Sequence, residues 1–175
     1  KGFEQRSDAV VFLDGDMSAE KFADPAGMET AFANTRKGLQ NYADKLKVRY
    51  VMIGRVGLNG SSGNHGERRK PRETHLINSA IDLLKLKLGL TRIALAGQSG
   101  GSTISASLLS FGRKDVACAA LGSGAYELVE LQQKIMAAAG QKVTKAALYK
   151  AIYDPASHVG DIAVDTKRRV FVIGD

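Results

Sequence analysis

The chain has 175 residues, 44% of them hydrophobic and 25% charged, and a formal net charge of +7. That length suits one domain with a real core. No run approaches the roughly 20 apolar residues of a membrane span, and basic residues interleaved with acids, with few aromatics, do not make a nucleic-acid surface. The lone cysteine, Cys118, excludes an internal disulfide and leaves the redox compartment open.

In chain order, apolar runs alternate with helical patterns. Asp8-Ala9-Val10-Val11-Phe12-Leu13 reads as a buried strand ended by Asp14-Gly15-Asp16. Pro25 and Gly27 open a helix whose stripe is Met28, Ala31, Phe32, Leu39, Tyr42, Ala43 and Leu46. Tyr50 to Ile53 is a second strand. A glycine- and serine-rich loop, Gly57 to Gly66, follows, then the basic cluster Arg68-Arg69-Lys70 and Arg72. The next helix carries Leu76, Ile77, Ala80, Ile81, Leu84 and Leu88, and Gly89 is placed to end it.

Arg92 to Ala96 is the third strand, Ser102 to Phe111 a helix, and Val116 to Leu121 the fourth strand, closing on Gly122-Ser123-Gly124. Two short helical pieces lie near Leu128 to Met136 and Ala146 to Ile152, and Arg169 to Ile173 is the fifth strand. Continuous apolar strands alternating with helices predict an α/β fold, a mostly parallel doubly wound sheet covered on both faces. We read residues 1–175 as one domain, with residues 126–152 as a small helical insertion.

Gly97-Gln98-Ser99-Gly100-Gly101 fits G-x-S-x-G between a strand and a helix, the setting of a nucleophile elbow. A serine on that turn projects its hydroxyl above the sheet edge. Small residues at Gly97 and Gly101 let strand and helix approach, and the Gly100 N–H can face a developing oxyanion. Arg55, Arg68 and Arg69 suit an acidic substrate group; the favoured reading makes Arg68 to Arg72 a solvated helix start with Glu67 and Glu73 as partners. His75 reads as a capping or solvated residue, and His65 and His158 as surface or second-layer residues; His158 is the one rival base, because the insertion could fold over the elbow. Ser123 is a candidate for the pocket wall. With no His or Cys pairs at ligand spacing, neither metal nor cofactor is expected.

The elbow, a first strand ending Leu13-Asp14-Gly15-Asp16 and a fifth ending Gly174-Asp175 together resemble the α/β-hydrolase superfamily, in its dienelactone-hydrolase-like and prolyl-oligopeptidase-like flavour. The resemblance implies the strand order second, first, third, fourth, fifth, with Ser99 as nucleophile. It implies an oxyanion site from Gly100 with Gly15 or Asp16, flanked by Gln98, and Asp175 at or near the triad acid. Asp14 stands where such proteins usually carry a histidine. The family order Ser, acid, His puts the catalytic histidine after Asp175, so a core cut short at both ends is expected. The implied activity is serine hydrolysis of an ester, lactone or peptide in a small-molecule or peptide substrate. Two alternatives are an inactive hydrolase-fold scaffold and a flavodoxin-like phosphate or flavin module.

Overall fold

A computed structural model describes residues 6–18 and 24–174. Five strands form one parallel sheet: β1 (Asp8–Leu13), β2 (Tyr50–Ile53), β3 (Arg92–Gln98), β4 (Val116–Gly122) and β5 (Arg169–Ile173), in the order β2-β1-β3-β4-β5. The helices are α1 (Pro25–Leu46), α2 (Pro71–Leu88), α3 (Gly100–Ser110), α4 (Leu128–Ala138) and α5 (Lys145–Ala151). The doubly wound parallel sheet is the one the apolar runs predicted, and its strand order is the one the resemblance implied.

Register aligns the carboxyl ends of four strands along one edge. Leu13 pairs with Gly97, Gly97 with Leu121, Gln98 with Gly122 and Gly122 with Ile173. The ladder runs past the strands: the Ser99 N–H donates to Gly122 O and the Ser123 N–H to Ile173 O, each at 2.8 Å. In a sheet with this order the crevice opens where the order reverses, beside β1 and β3. Asp14 to Asp16 and Ser99 therefore emerge side by side.

The central core fills one face. Val11, Leu13, Ile93, Leu95 and Val116 from the sheet meet Ile77 and Ile81 of α2 and Ile104, Leu108 and Leu109 of α3. Leu76 is 47% exposed, because it sits one residue, about 100° around the helix, from Ile77 on the buried stripe. Gly89 ends α2 in the left-handed conformation, φ 64°, as its position predicted.

Right-handed crossovers put α1 on the opposite face. There it packs against β2 and buries only Ala43. Tyr42 and Leu46, read as part of the α1 stripe, are exposed. The stripe that turns inward is Met28, Ala31, Phe32, Leu39 and Ala43, at i, i+3, i+4, i+11 and i+15.

Helix α3 is the most enclosed element, and hydroxylated residues line it. Their donors are satisfied at home or nearby: Ser105 bonds to Gly101 O, Ser107 to Thr103 O and Thr103 to Ala125 O, at 2.8–3.0 Å. Small hydroxyls can be buried this way without an unpaired donor. Asp154 caps α4 from a distance by accepting the Leu128 N–H at 2.6 Å. Among the described residues, no helix is long and apolar enough to cross a membrane.

Candidate active site

Ser99 sits between the last residue of β3 and the first of α3, with φ 51° and ψ −119°. A non-glycine residue reaches that region only when its surroundings force it. Three close approaches do so. A Cβ on Gly97 would come within 2.5 Å of the Gly101 carbonyl and the Ser102 nitrogen. One on Gly101 would overlap the carbonyl oxygens of Leu13 and Asp14. The Ser99 N–H, tied to Gly122 O, fixes the turn from the β4 side. The first turn of α3 is thus pressed onto the ends of β1 and β3, which a side chain at either glycine would prevent. The Ser99 side chain makes no capping bond to α3, so its hydroxyl is not spent on the helix amides.

The loop after β1 lies directly on this turn. A Cβ on Gly15 would overlap the Gln98 side-chain oxygen and stand 3.4 Å from Ser99 Cβ. The Gly15 N–H donates to its neighbour Asp14, at 2.8 Å from Oδ1. Gly100 is walled by the Asp16 carboxylate and the Arg55 guanidinium, which occupy the space of a side chain there. Gln98, Gly100, Gly15 and Asp16 therefore surround Ser99 as a group. Asp175 lies outside the described residues.

Asp16 is held in a cage of three arginines with a histidine beside it. Arg55 Nη1 donates to Oδ1 at 2.6 Å and Arg69 Nη2 to Oδ2 at 2.8 Å. Arg68 Nε lies 3.5 Å from Oδ2 and His65 Nε2 3.7 Å from Oδ1. Burial alone would raise the Asp16 pKa. The charge and hydrogen bond of Arg55, with Arg69 behind it, outweigh burial and hold it below the ordinary value. His65 is pushed down by burial and then by Arg55, so its ring is neutral at neutral pH.

Arg55 itself is fully buried and bridges two carboxylates, its Nε donating to Glu73 Oε1 at 2.9 Å. Glu73 is 1% exposed and also accepts the Arg69 N–H at 2.6 Å. The solvated helix start read from Arg68 to Arg72 is therefore only partly right. Lys70 and Glu67 do pair at the surface, but Arg55 and Arg69 turn inward to Asp16, and buried Glu73 holds both from the other side. The available signal was strand order: β2 borders β1, so the loops that follow them must touch.

His158 gathers at the other end of α3. It stacks on Tyr153 with ring centroids 4.7 Å apart, and Tyr153 OH lies 2.9 Å from Ser110 Oγ. The 11 residues of α3 put that point about 16 Å along the helix from Ser99. The ring of Phe111, the residue just past α3, lies 4.9 Å from that of His75, between centroids. Ser123 follows β4 with φ 48°, at the same sheet edge as Ser99. Among the described residues, no cluster of three His, Cys, Asp or Glu could hold a metal ion.

Solved structures share this architecture. Pf2001, an esterase of Pyrococcus furiosus, superposes with a TM-score of 0.60 over 98% of this chain and 74% of its own, at 13% identity. Est1E of Butyrivibrio proteoclasticus, solved with ferulic acid bound, gives 0.58 over 97% and 80% at 12% identity. A lipase-esterase related protein of Clostridium acetobutylicum gives 0.55 over 97% and 86% at 11% identity. No protein-family model matches the chain, and no curated protein matches it. The parallel sheet, its order and these likenesses together establish that the chain has the α/β-hydrolase fold.

Proposed function

We propose that the protein is a serine hydrolase that cleaves carboxylic esters through an acyl-enzyme on Ser99. The observation that carries this reading is the backbone of Ser99: a strained, non-glycine turn at φ 51° and ψ −119°, set between β3 and α3 at the edge where the strands end. Ser99 Oγ attacks the ester carbonyl at the N-terminus of α3, where the helix dipole favours developing negative charge. The Gly100 N–H is one oxyanion donor. The Gly15 N–H is committed to Asp14, so the second donor from the β1 loop is the Asp16 N–H. Gln98 packs over Gly15 and walls that loop.

A serine hydroxyl needs an imidazole base and an acid to orient it. Asp175 follows β5 in the chain position of that acid. His158, 16 Å or so away along α3, is no candidate base, and His65 is tied to Val56 O and the Asp16 cage. Esters are the favoured substrate because the solved structures of like fold include esterases, one of them with ferulic acid bound.

The test is labelling of the full gene product with a fluorophosphonate probe, alongside hydrolysis of p-nitrophenyl esters. Ser99→Ala is expected to abolish both. Unchanged labelling or turnover in Ser99→Ala would rule the assignment out.

A further inference from the structure

We propose that Arg55 and the Asp16 carboxylate are positioning residues, a clamp that sets the oxyanion loop against Gly100; the proposal rests on Ser99 being the nucleophile. A carboxylate next to an oxyanion donor opposes the charge that the donor must stabilise. In this site the carboxylate is turned into a cage instead. Both Asp16 oxygens are engaged, one by Arg55 and one by Arg69. Its charge is neutralised locally, and the same bonds fix the backbone that carries the Asp16 N–H.

The geometry of Arg55 is that of a bracket. Nη1 reaches Asp16 Oδ1 at 2.6 Å and also lies 3.4 Å from Asp14 O, gripping the loop on both sides of Gly15. Nε anchors the bracket to buried Glu73, at the start of α2. Glu73 in turn holds the Arg69 N–H, where Arg69 sits at φ 65°. A non-glycine residue in that conformation marks a second strained point beside the site. The Arg69 carbonyl is pinned by the Tyr153 N–H at 2.9 Å. The clamp's inner face is Gly100, where any side chain would run into Asp16 and Arg55. Neither partner can retreat easily, since Arg55 is fully buried and Asp16 is held from several sides.

The experiment uses the full gene product and two variants. Asp16→Asn keeps shape and removes charge; Gly100→Ala keeps every charge and pushes the clamp aside. Each is assayed for kcat and KM on p-nitrophenyl butyrate, for inhibition by a trifluoromethyl ketone, and for Tm. Ser99 Oγ adds to the ketone carbon as its proton passes to the base, leaving a hemiketal oxyanion in the hole, so the Ki reads that geometry with no leaving group to expel. Loss of one oxyanion donor costs about 100- to 1000-fold in kcat. A misplaced one is expected to cost about 10- to 100-fold, with KM within about threefold and the ketone Ki raised by the same factor as kcat falls.

A lower Tm with kcat and ketone Ki at wild-type values in both variants would overturn the clamp while leaving Ser99 in its role. So would a rise in KM with kcat intact, which would make Asp16 a substrate-binding group. Turnover that survives Ser99→Ala, or a wild type without turnover or ketone binding, would overturn the reading of Ser99 and the clamp with it.

Discussion

Replacing Ser99 by glycine should stabilise the protein relative to replacing it by alanine, although both variants lose the hydroxyl. At φ 51° and ψ −119°, residue 99 occupies a region that costs a non-glycine residue about 1–3 kcal/mol. Alanine keeps that cost in full. Glycine escapes it but gives the unfolded chain more freedom, a penalty of about 0.5–1 kcal/mol. The expected net difference is about 1 kcal/mol in favour of glycine. For a chain of this size that is about 2–4 °C in Tm. Thermal melts of Ser99→Ala and Ser99→Gly, run side by side, measure the difference with the hydroxyl absent from both. Equal melts, or a lower one for glycine, would refute the argument that the elbow stores strain.

Gly101→Ala should be far more costly than Gly89→Ala, although both replace a glycine at a helix end. At 101 the new methyl meets the backbone of Leu13 and Asp14, which cannot yield without moving the end of β1; a loss of about 3 kcal/mol or an insoluble product is expected, read by urea denaturation. At 89 the space is open and only the φ of 64° opposes it, so about 1–2 kcal/mol is expected. The Asp16 cage also predicts a pH dependence with a defined sign. The Asp16 pKa is lower folded than unfolded, so its contribution is complete above the ordinary value of about 3.8 and is lost as pH falls through the folded value. The stability gap between wild type and Asp16→Asn should therefore shrink below about pH 4, and urea midpoints from pH 3 to 7 that keep a constant gap would refute it.

The sheet and the elbow were legible because each leaves a local mark. Apolar runs such as Val10 to Leu13, separated by helical stripes, fix a parallel sheet. The glycine at 97 records a contact made within a few residues of Ser99, with Gly101 and Ser102, while the one at 101 records the press of the helix on the end of β1. Burial on the outer elements was less legible, because periodicity names a face and not what lies against it. Tyr42 and Leu46 follow helical spacing as well as Ala43 does, but α1 meets the sheet mainly beside β2, and these two face away. β5 has the composition of a core strand, yet every one of its residues is exposed, whereas β2 at the opposite edge, beside α1, is half-buried.

The cage around Asp16 was the least legible feature, for a physical reason. Its bonds join residues 39 and 53 positions apart, and no spacing rule spans such distances. What could have found it is topology used in reverse. Once β2 is placed beside β1, the loop holding Arg55 must lie against the loop holding Asp16. A carboxylate beside an elbow then has to be neutralised, because the site must stabilise negative charge. The arginines that looked like a solvated cluster are the nearest cations able to do so. Glu73 follows from the same reasoning: a guanidinium with no exposure needs a second acceptor, since a buried charge with unfilled donors costs more than its single ion pair returns. The order of the strands and the chemistry expected of Ser99 together call for the cage, which neither the charge pattern nor the motif does alone.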